Sequence, residues 1–179
     1  MRPYRLHGLI ERLEQQRSGL LSRIEAWPHE WLSYKPSIAV WSALEVLDHL
    51  RKTELAIMLS CKENLKSREH TVTRSERAKV IALLAMMRLP IKLKVPETVS
   101  FVRPDPVNSL QEVLGWWTAS ASELRQWVGA FPLEDCNVGL VFHPAAGWMD
   151  IRAALTFLSV HLRHHQFQLQ RIKAVCEQA

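Results

Sequence analysis

Apolar residues recur every three or four positions along most of this chain, and that spacing constrains the fold more than any other feature. Such spacing places side chains on one face of an α-helix. In the first segment the apolar positions are Leu6, Leu9, Leu13, Leu20 and Ile24. Similar patterns predict helices over residues 4–26, 42–66, 75–88, 109–129 and 151–176. No segment alternates apolar and polar residues as a half-buried strand would, so we expect an all-α fold.

Capping residues mark several helix starts. Ser42 and Glu45 have the spacing of a capping box, in which the serine hydroxyl accepts from an early backbone N–H and the glutamate reaches back to the serine amide. The stretch SLQE at 109–112 repeats the pattern, and Asp150 is a suitable N-cap for the last helix. These signals fix where helices begin more sharply than periodicity alone.

Prolines and loop residues mark the connections. Residues 89–108 contain four prolines and are predicted to be extended, and residues 131–149 are predicted to form a loop. The chain has no internal repeat, low-complexity tract or domain linker. We therefore expect a single domain over residues 1–179, a four-helix bundle with two long connections.

Composition narrows the class of protein. The chain is 47% hydrophobic and 23% charged, with a formal net charge of +5, a balance typical of a globular protein. No apolar run approaches the roughly 20 residues of a membrane span, and the N-terminus lacks a signal peptide pattern, so we expect a cytoplasmic protein without a membrane partner. Basic residues are interspersed with acids, which makes nucleic acid an unlikely partner and suits an anionic small molecule.

Cysteine chemistry is not expected. Cys61, Cys136 and Cys176 are far apart in the sequence and form no CxxC pair. Their number and spacing indicate neither a disulfide framework nor a structural zinc knuckle. None has a visible His or Asp partner, so we interpret all three as core or boundary residues rather than nucleophiles.

Three histidines stand close together in the last predicted helix. His161 and His165 are four residues apart, so their imidazoles stack on one side of the helix and can hold one cation between them. His165 falls within about 30° of the centre of the apolar stripe, and His161 lies on its flank. His164 points to the opposite face and is predicted to be solvated. The pair alone is more typical of partly buried histidines that carboxylates or water satisfy than of a metal site.

A third ligand would have to come from another helix, and the candidate is His49. Periodicity places His49 away from the apolar stripe of its helix, at a boundary or exposed position. Glu54 lies within that stripe, where an unpaired carboxylate would be costly. It can orient a ligand histidine, or it can form an ion pair with an arginine of another helix.

Two stretches together resemble the DinB-like (DinB/YfiT) superfamily. The first, KPSIAVWSALEVLDHLRKTE, has a Lys-Pro loop at Lys35 and Pro36, then Trp41 and Ser42, and a helix that carries His49. The second runs from His143 to the end of the last helix. Its motif residues are His143, Pro144, Gly147, His161, His165 and Gln168.

The resemblance implies a DinB-like four-helix bundle with a divalent metal held by His49, His161 and His165. Zinc is the first expectation, and nickel, iron or manganese also suit a His-only site. Members are described as metal-dependent hydrolases, and some branches are thiol S-transferases that use a low-molecular-weight thiol. The resemblance therefore implies that the metal activates a water or a thiol, with Gln168 supporting a ligand. Residues 67–108 match no motif of the family, and we expect pocket residues for a thiol there. The alternative is a non-catalytic, stress-related metal-binding scaffold that forms a homodimer.

A few conspicuous residues remain. His143 is expected to pack the Pro-Gly turn, with a place on the rim of the site as the alternative. Trp41 is interpreted as a packing anchor before the capping box. Of the adjacent pair Trp116 and Trp117, one is expected to be buried and the other to lie at an interface or pocket wall.

Overall fold

The computed structural model describes residues 4–35, 37, 40–91, 93, 95–107 and 109–178, and helices dominate this part of the chain. The α-helices are α1 (Tyr4–Glu25), α2 (His29–Ser33), α3 (Ala43–Ser67), α4 (Arg74–Met87), α5 (Leu110–Gly129) and α6 (Ile151–Cys176). Two 3₁₀ helices, Glu97–Val102 and Leu133–Asp135, and a hairpin of β1 (Val141–His143) and β2 (Gly147–Met149) lie between them. The predicted all-α class is confirmed, and the ends of the five long helices lie within about one residue of the prediction.

The four longest helices form the bundle. Helix α1 packs against α5 and α6, and α3 packs against the same two neighbours from the other side. Buried aliphatic side chains from all four meet along the axis, among them Ile10, Leu13, Leu47, Leu124 and Leu155. Helix α4 lies outside this group and packs on α6 and β2. Helix α4, which the sequence predicted, is therefore an addition to the four-helix bundle, because it lies in the long connection between α3 and α5.

The predicted helix caps are present. Ser42 Oγ accepts from Glu45 N at 3.2 Å, and a Glu45 carboxylate oxygen accepts from Ser42 N at 2.8 Å. Asp150 accepts from Ala153 N at 2.9 Å at the start of α6. At Ser109 the structure has the serine half of the predicted box, a 3.2 Å bond from Glu112 N. These caps fix the starts of α3, α5 and α6, two of which carry the histidines.

The connections contain more regular structure than the sequence predicted. The prediction that residues 131–149 form a loop was wrong for 141–149, because β1 and β2 pair antiparallel there with His143 opposite Gly147. Gly147 has φ +78°, and a Cβ at this position would lie 2.9 Å from Cγ of Glu76. A short hairpin of this kind depends on tertiary packing rather than on a periodic pattern. The predicted extended segment 89–108 likewise contains the 3₁₀ helix Glu97–Val102.

Some residues of the predicted connections are not among those that the structure describes. Pro36 of the Lys-Pro loop lies outside the described residues, as do positions 92, 94 and 108 of the predicted extended segment.

Among the helices that the structure describes, none combines the length and the apolar character that crossing a membrane requires.

Candidate metal centre

Three histidines from two helices converge inside the bundle. Helix α3 provides His49, and α6 provides His161 and His165, so that one potential ligand atom from each lies within 4.8 Å of the others. Their exposed fractions are only 3%, 8% and 8%. Among the residues that the structure describes, this histidine cluster is the one group of three or more His, Cys, Asp or Glu with such spacing. The predicted third histidine therefore does meet the HxxxH pair.

The spacing within the histidine cluster suits a small cation. His161 Nε2 lies 3.1 Å from His49 Nε2 and 3.1 Å from His165 Nε2. Tetrahedral zinc with bonds of about 2.0–2.1 Å places neighbouring nitrogens about 3.3 Å apart. The three nitrogens can therefore face one ion with little movement of the helices.

The other ring nitrogens determine which tautomers are present. His49 Nδ1–H donates to the carbonyl oxygen of Val102 at 2.7 Å, and His165 Nδ1–H donates to Gln168 Oε1 at 2.9 Å. In the neutral rings this leaves both Nε2 atoms as acceptors that face His161 Nε2. One N–H at His161 Nε2 can serve only one of them, whereas a cation between the rings satisfies all three lone pairs. The donor set therefore fits a metal ion.

Burial keeps these imidazoles neutral, which is the form that binds metals. Loss of hydration lowers the pKa of His49 and lowers the pKa of His165 to about 3. The pKa of His161 lies well below its ordinary value, mainly because the ring is buried and, to a smaller extent, because other histidines are nearby. At neutral pH the cluster is therefore a set of lone pairs with no positive charge of its own.

Aromatic rings border the histidine cluster. The Trp41 ring centroid lies 4.9 Å from that of His49 and 6.4 Å from that of His165. Phe157, one turn before His161, stacks on it with centroids 5.4 Å apart. Trp41 is thus a packing anchor as predicted, and the surface it packs against is the site itself.

His143 lies one ring farther out. Its Nδ1 accepts from Ala145 N at 3.2 Å within the turn, and its ring lies 5.4 Å from that of Phe157. The expectation that it packs the turn agrees with this contact. It reaches the histidine cluster only through Phe157, and it is not part of the group that can hold a metal.

The prediction that His164 is solvated was wrong. Its exposed fraction is 8%, and its Nδ1–H donates to the carbonyl oxygen of Met87 at 2.9 Å. The reason is α4, which packs on the face of α6 that would be open in a bundle of only four helices. Periodicity within α6 carries no information about that added helix.

Glu54 serves the second of its two suggested roles. Both carboxylate oxygens accept from Arg17 Nη1, at 2.6 and 2.8 Å, and the pair is almost completely buried. Its partner is thus an arginine of α1 and not a ligand histidine. Gln168 is the side chain that orients His165, as the resemblance implied.

Besides His164, sequence reasoning misjudged His49 from periodicity, and it overlooked Val102. His49 was placed at a boundary by its helix pattern, yet it is buried because α3 faces both α5 and α6. Val102 was not singled out, although its carbonyl oxygen selects the tautomer of His49. A backbone carbonyl has no side-chain signature, so no sequence signal could have identified it.

A cavity of about 420 Å³ lies beside α3 on its α5 side. Its walls include Arg51, Asp105 and Trp116, and the Arg51 guanidinium carbon lies 4.9 Å from the Trp116 ring centroid. Trp117 is buried with an exposed fraction of 1%, so the predicted division of the tryptophan pair is confirmed. Asp105 and Pro106 come from the predicted pocket-forming segment 67–108.

The cysteines are core residues, as expected. All three are buried and free. Burial raises the pKa of the Cys61 thiol to about 12 and raises the pKa of Cys136 and Cys176. None of these thiols is a thiolate at neutral pH.

Comparison with known proteins gives one match. A family model described as the DinB superfamily matches residues 12–169, which include every member of the histidine cluster and Gln168. No curated protein and no solved structure matches the chain.

Proposed function

The chain belongs to the DinB superfamily, and from that membership we propose that it is a divalent-metal-dependent enzyme whose ligands are His49, His161 and His165. Zinc is the first candidate, with nickel, iron and manganese as alternatives that a His-only site also accepts. The proposed chemistry is attack by a water or by a low-molecular-weight thiol, which corresponds to a hydrolase or a thiol S-transferase.

The observation that carries this proposal is the orientation of the three imidazoles. Val102 and Gln168 accept the Nδ1 protons of His49 and His165, so the Nε2 lone pairs are directed at His161. Outer hydrogen bonds of this kind fix the ring orientation of metal-binding histidines in general. This arrangement would be costly without a cation, because an N–H at His161 Nε2 can satisfy only one of the two buried Nε2 lone pairs that face it.

An anionic substrate suits the formal net charge of +5 of the chain. Burial is the main cause that lowers the pKa of His49 and His165. The nearest side-chain charges are of both signs, since Asp48 raises the pKa of His49 whereas Lys52 lowers it, and Arg171 lowers that of His165. When bound, a divalent ion supplies Lewis acidity, which lowers the pKa of a water or thiol at the site. Trp41 and Phe157 cover two sides of the cluster and limit the access of bulk water.

The chain's own thiols do not supply the nucleophile. Burial raises the pKa of all three cysteines, and none belongs to the group that can hold a metal. A nucleophile from outside, either water or a small thiol, is therefore the consistent choice.

The second candidate is a non-catalytic, metal-binding scaffold that functions as a homodimer. The burial of the histidine cluster, below one tenth exposed at each residue, is the observation in its favour. Against it stands the ligand count, since the described residues add no fourth His, Cys, Asp or Glu to the group. Structural zinc sites are usually closed by four protein ligands, whereas catalytic sites keep one position open.

Metal content tests the ligand assignment. Protein prepared without a metal-affinity column is analysed for bound metals, alongside His49→Ala, His165→Ala and the matched control His164→Gln. His164 is as buried as His165 and lies on the same helix, but it donates to Met87. We expect metal in the wild type and in the control only. Equal metal in His165→Ala and the wild type would reject the assignment.

An activity screen tests the chemistry. The metal-loaded protein is assayed with several low-molecular-weight thiols against an electrophile, in parallel with simple esters and amides. Thiol consumption that is lost in His165→Ala supports the transferase, and ester or amide cleavage without thiol supports the hydrolase. If metal is bound and neither reaction occurs, the scaffold becomes the better explanation.

A further inference from the structure

The outward side of α4 and the segment after it exposes large apolar side chains. Ile81 is 68% exposed and Leu89 is 53% exposed. We call this surface the α4 outer face. Its apolar members are Ile81, Met86, Leu89, Ile91 and Leu93.

Helix α4 is apolar on both sides. Its inner face buries Val80, Leu83, Leu84 and Met87 against the rest of the protein. At 100° per residue, Ile81, Ala85 and Met86 lie on the opposite side. Large apolar side chains exposed together on one side of a helix are the kind of surface that binds a partner.

Positive charge is concentrated in the same segment. Residues 74–96 contain six Lys or Arg and one Glu, so they carry a net charge of +5, which equals that of the whole chain. Arg74, Lys79 and Arg88 are exposed, and the salt bridges found among the described residues include none of the three. Lys92 and Lys94 belong to the segment by sequence and lie outside the described residues.

The one acidic residue of the segment is turned away from this face. Glu76 accepts from Thr73 N at 2.9 Å and from Trp148 N at 3.1 Å, and its carboxylate lies 3.1 Å from His70 Nε2. It therefore joins the start of α4 to β2 and adds no negative charge to the outer face.

We propose that the α4 outer face docks on an anionic lipid surface. Ile81, Met86 and Leu89 would enter the boundary between headgroups and acyl chains, while Lys79 and Arg88 would pair with headgroup phosphates. Basic side chains beside exposed aliphatic ones are typical of segments that lie in a membrane interface. This interaction is independent of the proposed enzymatic function and needs no residue of the histidine cluster.

Charge complementarity favours lipid over the other partners. A symmetric contact between two copies of this face would bring the same basic groups together without an acid between them. A nucleic acid would match the charge but would leave the aliphatic side chains without a role. The expectation of no membrane partner rested on the lack of a spanning segment, whereas the docking proposed here takes place at the surface and requires no span.

Vesicle co-sedimentation of the full chain tests the proposal. We expect binding to phosphatidylcholine vesicles that contain phosphatidylglycerol, weak binding to pure phosphatidylcholine, and release at high salt. The double variant Ile81→Ser, Met86→Ser is expected to bind about tenfold more weakly, because two apolar insertions are lost. Lys79→Glu is expected to weaken binding by roughly fivefold or more.

Matched controls come from elsewhere in the bundle. Leu59→Ser removes a 54% exposed leucine of α3, and Arg12→Glu reverses an exposed charge of α1. Both are expected to bind like the wild type, and circular dichroism checks that each variant folds. Three outcomes would overturn the proposal: no vesicle binding by the wild type at low salt, equal weakening in the controls, or full binding by the Ile81, Met86 variant.

Two further measurements separate the competing partners. Self-association in analytical ultracentrifugation that Ile81→Ser, Met86→Ser abolishes, without vesicle binding, would show that a second copy covers the face. Binding to duplex DNA that depends on Lys79 but not on Ile81 and Met86, again without vesicle binding, would assign the surface to nucleic acid. Either result would overturn lipid docking.

Discussion

The bundle contains two buried polar groups of opposite kinds. Arg17 and Glu54 join α1 to α3 with a cation and an anion that satisfy each other at 2.6 and 2.8 Å. The histidine cluster joins α3 to α6 with three neutral rings whose Nε2 atoms face one another at 3.1 Å. The first group is complete within the polypeptide, whereas the second has more buried acceptors than its own N–H groups can satisfy and could hold a metal ion.

This difference separates a structural role from a binding role more clearly than burial does. Both groups are almost inaccessible to solvent. Burying polar groups is tolerated where partners are present and costly where they are missing. The surplus of acceptors in the histidine cluster is therefore the feature that points to a bound ion, and each of the following changes tests one side of the contrast.

The largest effect is expected from breaking the complete pair. Arg17→Met leaves the Glu54 carboxylate buried without its cation, which should lower the free energy of unfolding by about 3–5 kcal/mol. Urea unfolding followed by circular dichroism measures it. The double variant Arg17→Met, Glu54→Leu should recover much of the loss, because no charge is then left buried. A loss below about 1 kcal/mol in the single variant would show that the pair is not a buried unit.

Addition of zinc should produce the next largest effect. Zinc at 100–1000 times its dissociation constant is expected to raise the free energy of unfolding by about 3–4 kcal/mol. The gain should vanish in His161→Gln and persist in His164→Gln, with the zinc-dependent difference in urea unfolding as the measurement. A gain of the same size in both variants would place the binding site elsewhere.

Weakening the support of one ring should have a smaller effect. Gln168→Leu removes the acceptor of the His165 Nδ1 proton, which we expect to lower metal affinity by about 10–100-fold. Gln168→Glu keeps an acceptor and should retain affinity. Competition with a chromophoric chelator measures both, and equal affinities for the leucine variant and the wild type would mean that Gln168 does not orient the ligand.

The smallest effect is expected at Glu76, a less buried carboxylate that also has its donors within the chain. Hydrogen bonds lower the Glu76 pKa from 4.5 to about 2, and the largest cause is the backbone N–H of Thr73, with smaller ones from His70, the Thr73 hydroxyl and the Trp148 N–H. Because the folded-state pKa is the lower one, this stabilisation is present above pH 4.5 and is lost as the pH falls towards 2. Glu76→Gln should therefore cost about 1–2 kcal/mol at neutral pH, measured by urea unfolding.

The pH dependence provides the control for that prediction. The difference between the wild type and Glu76→Gln should shrink as the pH approaches 2, where the carboxyl becomes protonated. Glu63→Gln, an exposed glutamate of α3 paired with Lys66, should cost less than about 0.5 kcal/mol. A cost at Glu76 that stays constant down to pH 2 would exclude the carboxylate charge as its source.

The fold was largely predictable because its signals are local. Periodicity and the caps at Ser42 and Asp150 depend only on residues a few positions apart, and they placed the long helices closely. The hairpin 141–149 and the place of α4 outside the bundle depend on contacts with distant residues. His164 was misjudged because its burial also depends on a distant residue: its hydrogen-bond acceptor is the carbonyl oxygen of Met87.

The candidate site was predictable only in part. The i, i+4 spacing identified His161 and His165 as a pair, but the pattern of α3 alone placed His49 at the boundary. The family resemblance brought His49 to the pair, and the structure agrees with that placement. The direction of each lone pair depends on the tautomer of its ring, and the tautomer is set by the ring's hydrogen-bond partner. Helical periodicity does not show which partner each ring has.

The bond from His49 to the Val102 carbonyl oxygen has a consequence for engineering. Every amino acid offers that carbonyl, so substitutions at position 102 that preserve the backbone leave the acceptor in place. Insertions or deletions in the connection that brings residue 102 to α3 would displace it even when every histidine is retained. A transplant of this centre into another scaffold therefore has to reproduce the path of that connection, and not only the side chains of two helices.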